Sequence, residues 1–271
     1  MFEWKNIFKG MMMGASDVVP GVSGGTIALL VGIYERLIEA IDGLTTKGWK
    51  KHVVFLLPVG LGMGTAILTL SHLLSWLMER FPQPTFFFFL GLIVAIIPLL
   101  LREADYKQTF KVPHYVLLIL AAVAVAMTAF VSHDQTTVMT NLAWDDYLYL
   151  FFAGWIASSA MILPGISGSL MLLLMGAYAT VIEAIKSLNF PVIIVVGLGI
   201  VMGLLLTSKL IRYVFHNYRT VTYAILIGFV AGSIFVIYPG WPENVLLMVM
   251  SLLSAIGGCL IAYYLSQFQK G

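Results

Sequence analysis

The stretch Asp17-Val18-Val19-Pro20-Gly21-Val22-Ser23-Gly24-Gly25 breaks an apolar segment running from 10 to 34, and Leu163-Pro164-Gly165-Ile166-Ser167-Gly168-Ser169 breaks another from 147 to 178. A Pro-Gly pair followed by Ser and Gly cannot continue a regular helix, because proline has no amide proton to give and glycine releases the backbone. Backbone freed at membrane depth must be buried in protein or line a wet cavity. Each segment therefore reads either as a kinked full span or as a hairpin that enters and leaves on one side. The fold turns on that choice.

The rest of the chain leaves no doubt that a membrane is involved. Of 271 residues, 60% are hydrophobic and 10% charged, against about 45–50% and about 25% in soluble domains. The mean hydropathy is +0.97. This excludes a soluble globular protein, a disordered chain and a nucleic-acid binder, and a net charge of +2 marks no polyanion partner. The lone Cys259 sits in an apolar run and has no partner for an intrachain disulfide. Lys5 and Lys9 are followed by Asp17, Pro20 and several glycines instead of a clean apolar core, so the start is read as mature chain and not as a signal peptide. Six ordinary spans are expected, at 53–78, 85–101, 115–131, 191–213, 221–238 and 245–265, each near the roughly 20 residues a crossing needs.

Charge placement chooses between the two readings. If both broken segments are re-entrant and the N-terminus is cytoplasmic, 13 of the 15 Lys and Arg, from Lys5 to Lys270, lie inside, and only Arg80 and Lys186 lie outside. If both cross fully, the split is 7 against 8. The excess of positive charge on cytoplasmic loops selects the re-entrant reading, with both termini cytoplasmic. Trp76, Trp144 and Trp241 then mark the outer interface, and Trp4 and Trp49 the inner one.

The broken segments are copies of one another. Gly10–Leu44 aligns without gaps on Gly154–Leu188, with 14 of 35 positions identical, among them Pro20/Pro164, Gly21/Gly165, Ser23/Ser167, Gly24/Gly168, Gly32/Gly176, Tyr34/Tyr178 and Glu39/Glu183. The similarity continues at an offset of 137, where Val59-Gly60-Leu61-Gly62 faces Val196-Gly197-Leu198-Gly199 and Gly91 faces Gly228. The expected fold is all-α and integral to the membrane. Two repeats, 1–138 and 139–271, each hold one re-entrant helical hairpin and three transmembrane helices. Three is odd, so the second repeat starts on the opposite face and the repeats are inverted, as in many secondary transporters.

Each hairpin turn offers Ser and Gly just before a helix: Ser23, Gly24, Gly25 and Thr26 in one, Ser167, Gly168 and Ser169 in the other. Glycine allows close approach, and the amides of a helix start suit a phosphate. Two such starts arriving from opposite leaflets would form one anion site. Arg36, Lys209 and Arg212 are further candidates for the phosphate; Arg36 could pair with Glu39 or a lipid phosphate, and Lys209 and Arg212 share a helix face. Ionisable residues in apolar segments are usually functional. Asp17, whose aligned residue is Met161, is a candidate for proton coupling or a helix cap, and Glu39 and Glu183 for lining two gates. His72 aligns with Lys209 and reads as a membrane histidine facing a neighbour. Gly60/Gly64, Gly199/Gly203 and Gly228/Gly232 read as close-packing faces, and Phe86–Phe89 as a lipid-facing run. His133-Asp134 and Asp145-Asp146 lack metal-ligand spacing, so no metal site and no cofactor is expected.

The run Gly14-Ala15-Ser16-Asp17-Val18-Val19-Pro20-Gly21-Val22-Ser23-Gly24-Gly25-Thr26, with Gly32-Ile33-Tyr34-Glu35-Arg36 and Ile162-Leu163-Pro164-Gly165-Ile166-Ser167-Gly168-Ser169, resembles the bacterial and archaeal polyprenyl-phosphate transporter family. The resemblance covers essentially the whole chain. It implies a flippase in the cytoplasmic membrane that returns undecaprenyl phosphate from the outer to the cytoplasmic leaflet for synthesis of envelope polymers, with membrane lipids and a coupling ion such as a proton as further partners. The residues alone reach only an anion transporter with inverted repeats. A membrane phosphatase acting on undecaprenyl diphosphate also uses a P-G-x-S loop, but places an Arg after the Ser, where this chain has Gly24 and Gly168. A small-anion transporter fits the loops as well.

Overall fold

The computed structural model describes residues 3–19, 21–130, 138–140 and 142–268, the last by its backbone alone; Pro20, His133, Asp134 and Lys270 lie outside the described residues. In chain order the helices are α1 (Lys5–Asp17), α2 (Gly24–Leu30), α3 (Tyr34–Gly43), α4 (Trp49–Arg80), α5 (Pro82–Glu103), α6 (Tyr106–Thr109), α7 (Val112–Met127), α8 (Trp144–Ile162), α9 (Gly168–Leu174), α10 (Tyr178–Lys186), α11 (Phe190–Asn217), α12 (Arg219–Ile237) and α13 (Val245–Phe268). The described residues are helical, in turns or bends, or irregular, with no strand among them. Six helices are long and apolar enough to cross a membrane: α4, α5, α7 extended to Phe130, α11, α12 and α13. The protein is a multi-pass membrane protein, and the six expected spans coincide with these six helices, 221–238 running one residue past α12 and 115–131 ending at Val131, outside the described residues.

Proline opens three of them, in the first turn of α5, α7 and α11. Its fixed φ suits a first turn, and its missing N–H is one that would find no partner there. The expected breaks are also present. Segment 10–34 divides into α1, α2 and the start of α3, and segment 147–178 into α8, α9 and the start of α10. The same glycines turn the chain in both. Gly21 and Gly165 each have φ +82°, and Gly32 and Gly176 have φ +69° and +68°, a region that L side chains rarely adopt. α9 and α10 meet at 112°.

Four helix pairs form the body: α1 with α4, α8 with α11, α5 with α13 and α7 with α12. Small residues permit the approach. Gly10 of α1 abuts the Val59 carbonyl, and Gly154 of α8 abuts that of Val196; Gly62 abuts Ile7, and Gly199 abuts Phe151. Across the two halves of the chain, Gly91 abuts Ala255, and Gly228 abuts Leu118. Every one of these contacts recurs at aligned positions. Gly199, Gly203, Gly228 and Gly232 pack as their spacing predicts, whereas Gly60 and Gly64 face open space and Gly62 makes the contact on α4 instead. Phe86–Phe89 also departs from expectation. The run is half-buried or buried against the core, with Phe89 inside it and the Phe87 ring against Tyr238, because α5 is covered by α12 and α13.

The core is uneven. Its main cluster joins Leu30 and Ile38 of the first broken segment to Ile93, Ile96, Leu100, Ile227 and Val230 of α5 and α12. A smaller cluster, with Leu150, Ala153, Ala177, Ala184, Val192 and Val196, ties the second broken segment, α8 included, to α11. All seven residues of α2 are buried, and none of α9 is.

Candidate functional site

The two turns touch. The Thr26 hydroxyl accepts a hydrogen bond from the Gly165 amide at 2.8 Å, and the Ser23 hydroxyl donates to the Leu163 carbonyl at 3.3 Å. A Cβ on Gly25 would sit 2.9 Å from the Ile162 carbonyl oxygen, so only glycine lets α2 lie against this turn. Ser23, Gly24, Gly25, Thr26 and the loop before α9 thus share one place, within which Ser167 and Ser169 lie close together, their hydroxyls 2.8 Å apart.

The two helix starts differ in what already holds them. At α2 the Gly24 amide donates to Asp17 Oδ1 at 2.7 Å, and the Gly25 amide donates to Ser23 Oγ at 3.2 Å. Asp17 thus caps the start of α2. Its second oxygen, Oδ2, is buried without a partner. At α9 the aligned residue is Met161, and the Ser167 side chain caps nothing. Ser169 opens into a cavity of about 430 Å³ lined by Gly21, Phe86, Leu170, Leu173, Tyr178 and the end of α12. That wall is mostly apolar.

The cations lie elsewhere. Arg36, Lys209, Arg212 and Arg219 line a cavity of about 930 Å³ with Glu35, Glu39 and Asp42, between α3 and the last turns of α11. We call this the basic end of the bundle. Arg212 Nη1 reaches Asp42 Oδ2 at 2.6 Å. Arg36 does not pair with Glu39; it grips Glu3 through both terminal nitrogens, at 2.9 and 3.0 Å, and covers the Phe55 ring at 4.5 Å. That guanidinium holds the Glu3 carboxyl below its ordinary range. Glu39 is exposed at the same cavity, Glu183 is exposed on α10, and His72 is exposed on α4. The turn residues and the cations are therefore two groups and do not form one shell. Among the described residues no group of His, Cys, Asp and Glu has metal-holding geometry.

Sequence reasoning missed a third cluster. Tyr223 Oη lies 3.0 Å from Glu35 Oε1 and 3.5 Å from Glu103 Oε2, and Arg219 lies 3.7 Å from Glu35. Glu35 stood in a quoted motif, but Glu103 and Tyr223 belong to distant helices and carry no local signature.

A family model described as undecaprenyl phosphate translocase-like matches residues 13–252. The chain belongs to that family. It is 42% identical to the polyprenyl-phosphate transporter of Staphylococcus aureus (strain NCTC 8325 / PS 47), over 98% of this chain and 97% of that protein. It is 38% identical to the polyprenyl-phosphate transporter of Vibrio cholerae serotype O1 (strain ATCC 39315 / El Tor Inaba N16961), over 87% of this chain and 77% of that protein. No solved structure matches the chain. Both relatives of this translocase-like chain are named as transporters and not as enzymes, in line with the missing Arg after Ser23 and Ser167.

Proposed function

We propose that this chain is a polyprenyl-phosphate transporter that carries the phosphate headgroup from the outer to the cytoplasmic leaflet of the cytoplasmic membrane, returning the carrier lipid for envelope synthesis. The observation that carries this reading is the direct contact of two Ser-Gly turns, Thr26 on Gly165 and Ser23 on Leu163, in a chain whose relatives are named for this lipid. The halves 1–138 and 139–271 are inverted repeats built on re-entrant hairpins α1–α3 and α8–α10. The recurrence of the glycine contacts at aligned positions supports this. The basic end is cytoplasmic, with both termini, and the exposed Trp49 on one side and Trp76, Trp144 and Trp241 on the other mark the interfaces.

The headgroup enters through the cavity at Ser169, with the prenyl chain left among apolar side chains and lipid. The amides and hydroxyls of Ser167, Gly168 and Ser169 hold it first; the hydroxyls of Ser23 and Thr26 become available when the two turns part, and the Gly24 and Gly25 amides when Asp17 and Ser23 exchange them for the headgroup. It leaves past Arg36, Lys209 and Arg212, with Glu39 and Glu183 lining the two exits. In the state described, α3 is docked on α11 at the basic end, and no comparable packing joins α10 to α4. Moving a phosphate inward against a negative-inside potential costs about 2.3 kcal/mol per charge per 100 mV, and an accompanying proton offsets one charge.

The test is transport of undecaprenyl phosphate in vesicles holding the purified chain. Replacing Ser23, Gly24, Ser167 and Gly168 together abolishes it under this reading, and unchanged transport removes the site. Release of inorganic phosphate from undecaprenyl diphosphate would establish the phosphatase reading instead. Flux of inorganic phosphate in vesicles without polyprenyl lipid would establish the small-anion one. Cysteine labelling of Thr46 and Lys5 from the same face is required; labelling from opposite faces ends the re-entrant model.

A further inference from the structure

Glu103 and Tyr223 have no part in the reading above, and the network they form with Glu35 and Arg219 has no copy at the aligned positions. It lines a cavity of about 430 Å³ with Leu29, Gly32, Tyr34, Glu35, Arg36, Glu103, Arg219 and Tyr223. The cavity between α9, α10 and the other ends of α5 and α12 is its counterpart, since Leu173, Tyr178 and Phe86 align with Leu29, Tyr34 and Tyr223. The chemistry is not shared. Glu35 aligns with Ala179, Glu103 with Gly240, Arg219 with Pro82 and Tyr223 with Phe86. Every ionisable member of the network is replaced by a residue that cannot ionise. Duplication kept the cavity and left the charges at one end only.

We propose that Glu103, bridged through Tyr223 to Glu35, is the proton-carrying group of this transporter. The inference rests on the transporter reading, and it moves the coupling role away from Asp17, Glu39 and Glu183. The hydrogen count carries it. A phenol has one proton, so Tyr223 donates to the nearer carboxylate, Glu35, at 3.0 Å. With both carboxylates ionised, the Tyr223 oxygen would turn only lone pairs toward Glu103 at 3.5 Å. One added proton on Glu103 turns that contact into a donor and an acceptor. The carboxyl then donates to Tyr223 Oη, which continues to donate to Glu35. Loss of the proton restores two facing carboxylates, each disfavouring the charge of the other.

A second observation points into the same cavity. Tyr34 lines it and is 2% exposed, yet its hydroxyl has no hydrogen-bond partner. A buried hydroxyl left alone is costly, and a water or a hydrated proton in the cavity would satisfy it. Glu35 and Arg36 come from α3, Arg36 being held by Glu3; Glu103 comes from α5 and Arg219 from α12. From α11 the Phe215 ring packs against Tyr34 and Tyr223, and Lys209, Arg212 and His216 line the larger cavity that Glu35 and Arg219 also face. The site joins α3, α5 and α12. Its proton occupancy therefore bears on how firmly the first hairpin docks at the basic end, which links proton binding to the step that opens that end. Asp17, in contrast, is already engaged as the cap of α2.

The test uses the full chain in vesicles of phosphatidylethanolamine and phosphatidylglycerol, with undecaprenyl phosphate imposed on one leaflet and a pH-sensitive dye inside. The wild type moves protons as the lipid moves. Glu103→Gln loses proton movement and retains lipid exchange, and Tyr223→Phe slows proton movement about tenfold, the scale of one hydrogen bond to a charged group. Unchanged proton movement in Glu103→Gln, or its loss in Asp17→Asn instead, overturns the proposal, as does transport that requires sodium. Infrared titration of the purified chain without lipid reads the group directly. The carboxylic-acid carbonyl band disappears in Glu103→Gln and shifts in Tyr223→Phe. A band unchanged in both variants overturns the proposal. A band that behaves as expected in a chain that moves no undecaprenyl phosphate upholds the proton site and rejects the lipid.

Discussion

The two broken segments begin as near copies and end in different surroundings. α1–α3 and α8–α10 share their turn glycines and the close glycine contacts on α4 and α11. Yet α2 is buried throughout and capped by Asp17, and α3 is docked across the molecule on α11. α9 is unburied and uncapped, and α10 packs chiefly within its own half. Local conformation follows the repeated sequence, and docking does not. A backbone φ needs only a glycine at one position, whereas docking depends on partners from the other half, and these differ. The contrast teaches that one set of turns can be held firmly or loosely without changing its own shape.

The largest expected effect comes from giving both turns the same methyl group. Gly21 and Gly165 share φ +82°, so alanine at either carries about 1–2 kcal/mol of left-handed strain. Their neighbours differ. A Cβ at Gly165 strikes the Phe229 carbonyl, which is helix backbone, while at Gly21 it meets a side-chain methyl, Ile237 Cγ2, at 2.8 Å. Overpacking against backbone that cannot yield adds about 1–3 kcal/mol. Unfolding in detergent should show Gly165→Ala the more damaging, by about 1–3 kcal/mol. Equal losses would mean that the two turns are held alike, contrary to the contrast.

The next effect concerns docking. Arg212 and Asp42 join α11 to α3 at 2.6 Å, with the Asp42 side chain 12% exposed and that of Arg212 50%. The aligned pair, Ser75 and Lys186, cannot form this ion pair. Arg212→Ala leaves the carboxylate beneath α11 without its cation. After allowance for the solvent around Arg212, the loss is about 1–2 kcal/mol. Lys186→Ala stays within about 0.5 kcal/mol. Labelling of a cysteine at Ile38, now 1% exposed, should accelerate in Arg212→Ala and not in Lys186→Ala. Equal labelling in both would deny that the pair holds α3 down on α11.

Much of this was legible in the residues. The six spans, the two breaks and the internal repeat follow from hydropathy and from Pro-Gly placement, which are local signals. The meeting of the turns was also foreseeable, because a duplicated polar loop in an apolar chain has few places to hide. Side-chain pairing was not. Arg36 stands one turn from Glu39 yet binds Glu3, and nothing in a linear sequence ranks a neighbour on the same helix against a residue 33 positions away. Gly60 and Gly64 matched a packing pattern, but the face that meets α1 is the one bearing Gly62. The Glu35–Tyr223–Glu103 network joins three helices, so no spacing could announce it. Aligning the two repeats and asking where charge is present in one copy alone would have pointed to it.

The smallest effect separates stability from transport. Ser23 Oγ accepts from the Gly25 amide at 3.2 Å and donates to Leu163, so Ser23→Ala removes a cap and a link between the turns. Loss of such a cap costs about 1 kcal/mol. Ser167 occupies the same place on α9, but its hydroxyl caps nothing and meets only Ser169. Ser167→Ala should change unfolding by less than about 0.5 kcal/mol. Its effect belongs to the lipid. If the α9 turn receives the headgroup, Ser167→Ala lowers undecaprenyl phosphate transport out of proportion to its stability, and Ser23→Ala does the reverse. If both losses instead fall on stability for Ser23 and Ser167 alike, the open turn is a packing element and the headgroup is held by the cations at the basic end.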